Sequence, residues 1–178
     1  IGDSAFSGCT SLAEVKLPDG LKTIGSSAFS GCKALDTIKI PNTVSLVDFN
    51  AFSSCTALKN VTLSSSLKTL GSIAFSGCIS LQKIVLPDGL TELGSSAFSG
   101  CDHLKYIYIP ASVTSIKSYT FSGCKMLDHV YFGGSEDFWN NNVNKADYTE
   151  SGTNRYLYGR YIIGQIKFNQ TPAALALL

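Results

Sequence analysis

The chain has 178 residues, 44% of them apolar, with 14 basic and 13 acidic residues giving a net charge of +1. That is enough apolar content for a continuous core, and charges this balanced and dispersed offer no basic stripe for nucleic acid or an anionic membrane. No apolar run reaches the ~18 residues of a membrane span. No linker-like run divides the chain. Residue 1 is Ile, inside a repeating pattern, and the sole methionine is Met126, so the chain reads as a piece of a longer protein.

From the first residue onward the sequence repeats every 23 positions. Phenylalanine recurs at 6, 29, 52, 75, 98 and 121, and cysteine at 9, 32, 55, 78, 101 and 124. Alanine precedes the first five phenylalanines, at 5, 28, 51, 74 and 97, and leucine follows each cysteine by three residues. A period in this range marks one supersecondary unit repeated, each copy completing its neighbour's core. In the first unit, Ser4-Ala5-Phe6-Ser7-Gly8-Cys9 spaces its apolar groups three to four apart, which predicts a single helical or 3₁₀ turn that Gly8 lets the chain leave. Next come Val15 and Leu17, two apart, predicting a short strand over Glu14–Leu17 with one face buried. The same pair recurs in every unit, and proline at 18, 41, 87 and 110 ends four of the six strands. One parallel strand and one helical turn per unit define an α/β solenoid, and six strands at about 4.8 Å would make an exposed sheet on the order of 30 Å long.

The run Ile24-Gly25-Ser26-Ser27-Ala28-Phe29-Ser30-Gly31-Cys32-Lys33-Ala34-Leu35-Asp36-Thr37-Ile38-Lys39-Ile40-Pro41 resembles the BspA-like (Treponema-type) class of leucine-rich repeats, over residues 1 to about 135. The resemblance implies a right-handed superhelix with a parallel β-sheet on its concave face. It also implies a secreted or surface-attached bacterial protein, in a class some of whose members bind host extracellular proteins or other cells. Ordinary leucine-rich repeats carry Asn or Cys three residues after the second strand leucine. Here that column reads Gly20, Thr43, Ser66, Gly89, Ser112, Ser135, so the inner-loop amides need other acceptors. Tyr131–Trp139 resembles the segment that closes such arrays.

Six cysteines in one column, between core positions, read as reduced core thiols; identical rungs give no reason for specific disulfide pairing, and no two cysteines have metal-ligand spacing. Of the two histidines, His103 has no partner fixed by the repeat, and the serine column at 7, 30, 53, 76, 99 and 122 recurs as a structural feature would. No nucleophile, metal, phosphate or dinucleotide motif is present, so no catalytic residue, metal site or cofactor is assigned. The sequons at Asn60 and Asn169 carry little weight, Asn60 lying on a predicted strand.

The outward-facing strand positions vary instead. One column reads Glu14, Thr37, Asn60, Lys83, Tyr106, His129 and the other Lys16, Lys39, Thr62, Val85, Tyr108, Tyr131. Stacked in register, Tyr106, Tyr108, His129 and Tyr131 form one exposed patch flanked by Lys83 and Val85, the candidate ligand-binding residues. Two readings of the tyrosines stand beside recognition: good strand propensity, and packing beneath a C-terminal segment. After Trp139 the period is lost. Residues 136–178 are expected to be a cap and tail, with a short helix over 136–141, one or two strands within 160–168, and an apolar end at 172–178 that is disordered or packs on a neighbour. The expected function is non-catalytic recognition of an extracellular protein or glycan through the strand face; a passive spacer in a larger surface protein is the alternative.

Overall fold

The computed structural model describes residues 1–145 and 166–176. Residues 1–133 wind as stacked coils, and every strand pairing joins residues 23 apart until the last coil. Two ladders of parallel strands run along the stack. On one side lie the strands expected from the alternating pattern: β2 (Thr37–Lys39), β4 (Asn60–Thr62), β6 (Lys83–Val85), β8 (Tyr106–Ile109) and β10 (His129–Phe132). On the other lie two-residue strands: β1 (Thr23–Ile24), β3 (Leu46–Val47), β5 (Thr69–Leu70), β7 (Glu92–Leu93), β9 (Ser115–Ile116) and β11 (Asn144–Lys145). Parallel strands joined by crossovers of this kind wind right-handed.

The phenylalanine column forms the axis of the core. Successive rings from Phe6 to Phe121 stack with centroids 5.1 to 5.9 Å apart and planes within 8° of parallel. Beside it, each buried cysteine thiol reaches the backbone carbonyl of the phenylalanine in the preceding coil, Cys55 Sγ to Phe29 O at 3.2 Å and Cys124 Sγ to Phe98 O at 3.1 Å. Cysteine suits this column because it is small and apolar enough to bury yet carries a weak donor for that carbonyl. All six thiols are free; Cys9, in the first coil, is exposed, and the other five are buried. Burial pushes the thiols of Cys55 and Cys124 up to about 12, and those of Cys78 and Cys101 well above the ordinary value of 9.0.

The segment expected to be a helical turn is instead a run of consecutive β-turns. Amides of alternate residues bond the carbonyl three back, as Ser30 to Ser27 and Cys32 to Phe29, while those between bond the next coil, as Phe29 to Ala51 O and Gly31 to Ser53 O. A helix would require all of these amides to bond inward. The departure is set by a left-handed residue opening each turn: Ser4, Ser27, Asn50, Ile73, Ser96 and Tyr119 have φ between 55° and 63°. Asn50 tolerates that region; the β-branched Ile73 and bulky Tyr119 hold it under strain.

Several inner-loop amides find acceptors in the same turn or in a neighbouring coil. Each proline starts a β-turn closed by the amide three residues on, as Leu21 to Pro18 O and Val113 to Pro110 O, and Gly20 N donates to Thr43 Oγ1 at 3.1 Å in the next coil. Gly71 is required by close approach: a Cβ there would lie 2.5 Å from the Asp48 carbonyl carbon.

The strand face is not the single six-stranded sheet the sequence suggests. Glu14–Leu17 forms no strand, and an open cleft of about 750 Å³ separates that stretch from β2. β2 pairs only with β4, and no hydrogen bond joins β4 to β6, so the next sheet begins at β6. The small-strand ladder is interrupted at the same junction, between β5 and β7.

Beyond β10 the chain turns into α1 (Glu136–Asn142), capped by Ser135, whose Oγ accepts the Phe138 amide at 3.1 Å. Trp139 is buried edge-on against Phe132, with centroids 4.8 Å apart. β12 (Ile166–Lys167) then pairs in parallel with β10 and extends the strand face by one member. Residues 160–165 of the expected cap strands lie outside the described residues.

Candidate recognition surface on the strand face

Register places the six candidate residues in two ladders. Lys83, Tyr106 and His129 are cross-strand neighbours in one, and Val85, Tyr108 and Tyr131 in the other. The side chains converge as that register requires: the Tyr106 and His129 rings are 5.0 Å apart, and those of His129 and Tyr131 are 6.4 Å apart and nearly parallel. The His129 Nδ1 lies beside the Asp128 carboxylate, which fixes the ring's orientation. Lys167 Nζ, on β12, sits 5.3 Å from the centre of the Tyr131 ring, within cation–π range.

The ladders differ in exposure, and here the expectation of one exposed patch is corrected. Lys83 is exposed, Tyr106 and His129 are half-buried, but Tyr108 and Tyr131 retain only 4% and 5% of their accessible surface. What covers them is the apolar end of the chain. Residues 173–176 form a helical turn, α2 (Ala173–Ala176), which packs on this face and buries Leu175, 1% exposed, in one cluster with the two tyrosines. Lys83 Nζ donates to the Leu175 carbonyl at 3.5 Å. For this end the sequence left disorder or packing on a neighbour, and for the tyrosines packing beneath a C-terminal segment; the last of these is what the structure shows, with Leu175 against the apolar faces of the two rings.

Gly133 makes room for this arrangement. A Cβ at that position would stand 2.7 Å from the Tyr108 hydroxyl. Burial, with the Asp88 charge contributing less, holds the Tyr108 phenol above its ordinary pKa of 10.0.

At the other end of the face the outward residues are polar and open. Glu14, Lys16, Thr37, Lys39, Asn60 and Thr62 are all exposed, and the first four line the cleft beside β2. His103 lies off this face and bonds through Nδ1 to the Ile79 carbonyl of the preceding coil at 2.7 Å, which makes that nitrogen the protonated one. Among the described residues no group of three or more His, Cys, Asp or Glu is placed to hold a metal ion, and no helix is long and apolar enough to cross a membrane.

Stacked coils of this length and hydrogen-bonding pattern define a leucine-rich-repeat solenoid. The sequence profile of the BspA type leucine rich repeat region (6 copies) matches residues 1–72 and 49–151, and the chain belongs to that family. Similar solved structures agree. A leucine rich cell surface protein from Faecalibacterium prausnitzii is 38% identical over 73% of this chain and 34% of its own, with a TM-score of 0.71. The T. pallidum leucine rich repeat protein is 35% identical over 73% of this chain and 61% of its own, with a TM-score of 0.72. A leucine-rich repeat protein from Bacteroides ovatus is 34% identical over 82% and 39%, with a TM-score of 0.68. The chain thus spans about a third to three fifths of these proteins' lengths. No curated protein shows significant similarity to it.

Proposed function

We propose that the chain is a non-catalytic recognition module of a secreted or surface-attached bacterial protein, and that it binds an extracellular protein or glycan through the strand face. The observation that carries this reading is the contrast between columns. The inward phenylalanine, cysteine and leucine columns repeat from coil to coil, whereas the outward positions vary and gather Tyr106, Tyr108, His129 and Tyr131 on adjacent strands, with Lys83 and Val85 beside them. Aromatic groups with polar tips bury much area at low entropic cost, which is why they are enriched where proteins recognise partners. The name of the F. prausnitzii neighbour, a cell surface protein, supports the location. In this reading residues 1–135 are the recognition array and 136–178 its cap and tail.

Tyr106 and His129 are the substitutions to make first, because their half-buried rings can be removed without opening the core. On an array of extracellular matrix proteins and glycans, the double variant Tyr106→Ser/His129→Ser is expected to lose at least about tenfold in affinity for a partner of the parent chain, the scale of one interface hot spot. Thermal unfolding should move by only a few degrees. Full affinity in the double variant would remove this patch from the reading and leave the spacer alternative, in which the outward columns bind nothing.

A further inference from the structure

We infer that the trough between Tyr108 and Tyr131 is a docking site for a short apolar turn bearing a leucine, and that the chain's own residues 171–176 are its exchangeable resident. The inference rests on reading the strand face as a recognition surface and names the kind of partner segment that the face accepts.

The trough is built for one side chain. Its walls are the Tyr108 and Tyr131 rings, with Val85 and Tyr106 packed at the margin, and Leu175 is buried among them while Ala174 is only partly buried. Main-chain recognition accompanies it, since Lys83 Nζ meets the Leu175 carbonyl, the one exposed cation of the ladder beside the trough. An apolar side chain of a short helical segment seated on a hydrophobic surface is the helix-in-groove mode of recognition.

Among the described residues the resident is held by little else. Upstream, Asn169 N and Gln170 N donate to Gly134 O and Phe132 O and fix the chain to the solenoid. Beyond Gln170, residues 171–173 are exposed, and among the described residues the segment's other hydrogen bonds close its own turn, Ala174 to Thr171 O and Leu175 to Pro172 O. Burial of a single leucine returns less than the ordering of a six-residue segment costs, so the docked tail is only weakly held. Opening therefore costs little, and a partner segment with the same chemistry can take the place of the tail.

The test uses the full chain and Leu175→Asp, with tyrosine nitration mapped by mass spectrometry. Leu175 lies outside the coils, so the variant keeps its fold, checked by circular dichroism. In the parent, Tyr108 and Tyr131 should nitrate at least about tenfold more slowly than in the variant, while Tyr106 changes little. A peptide of residues 171–178, Thr-Pro-Ala-Ala-Leu-Ala-Leu-Leu, should restore protection to the variant in a saturable way. The same peptide with aspartate at the 175 position should not. Equal nitration of Tyr108 and Tyr131 in parent and variant would overturn the tail as the cover. Open tyrosines that the peptide fails to protect would overturn the trough as a docking site. Protection in the parent that disappears on dilution would overturn the tail's own chain as the resident. These outcomes are independent of the array: a partner lost on Tyr106→Ser/His129→Ser with no peptide binding sinks the inference alone, and peptide binding with no array partner sinks the wider reading alone.

Discussion

The turn seam and the strand face are built by the same coils, but the stack bonds them unequally. Along the seam, the phenylalanine amide reaches the next coil at every junction, from Phe6 to Ala28 O through to Phe98 to Thr120 O, at 2.8 to 2.9 Å. Across the strand face, hydrogen bonds join β2 to β4 and β6 through to β12 and are missing between the first coil and β2 and between β4 and β6. The side chains follow the same division. The seam repeats Phe, Cys and Leu without exception, and the face varies along the stack. Cohesion therefore resides in the seam and its stacked rings, which leaves the strand face free to vary its outward residues and to part locally without losing the core.

Alkaline pH attacks the seam most strongly. The buried thiols of Cys32, Cys55, Cys78, Cys101 and Cys124 are all raised above the ordinary value of 9.0, chiefly by burial. A raised pKa in the folded state contributes stability in full below the unfolded pKa and loses it as pH climbs toward the folded one. Stability should hold up to about pH 8 and fall between pH 9 and 12, by roughly 1.4 kcal/mol per protected thiol for each pH unit. Urea unfolding at pH 8 and pH 10 measures this, and Cys78→Ala should flatten the dependence. A stability unchanged at pH 10 would mean that the column is open to solvent.

Phe75→Ala compares the two regions by mutation. Removing one ring from the middle of the stack should cost about 3–5 kcal/mol, whereas Lys39→Ala on the exposed strand face should stay within about 0.5 kcal/mol. Denaturation midpoints of the two variants give the comparison, and similar values for both would erase the distinction between seam and face.

How much of this could be read from residues alone divides along the same line. The seam was legible because Phe, Cys and Leu recur at fixed spacing, and β2, β4, β6, β8 and β10 were legible because pairs such as Ile38 and Ile40 alternate with exposed neighbours. The helix expected over 136–141 was legible too, though not its Ser135 cap. The second ladder was hidden: Thr23–Ile24 and its equivalents are two residues long, too short for any alternation to show. The β-turn run was misread as a helical turn because Ser27 and Asn50 do not announce a positive φ in the way glycine does. Leu175 covering Tyr108 and Tyr131 was only one of several readings, since contact between a tail and a face more than forty residues upstream leaves no periodic trace.

Amide hydrogen exchange tests the unequal bonding of seam and face most directly. At the junction between β4 and β6, the amides of Phe52 and Ser54 bond the next coil while those of Leu63 and Lys83 bond no neighbouring strand. The account predicts that Leu63 and Lys83 exchange at least about a hundredfold faster than Phe52 and Ser54, with Tyr106, bonded to Gln82 O, on the slow side. Equal protection of Lys83 and Phe52 would show a continuous strand face and contradict it.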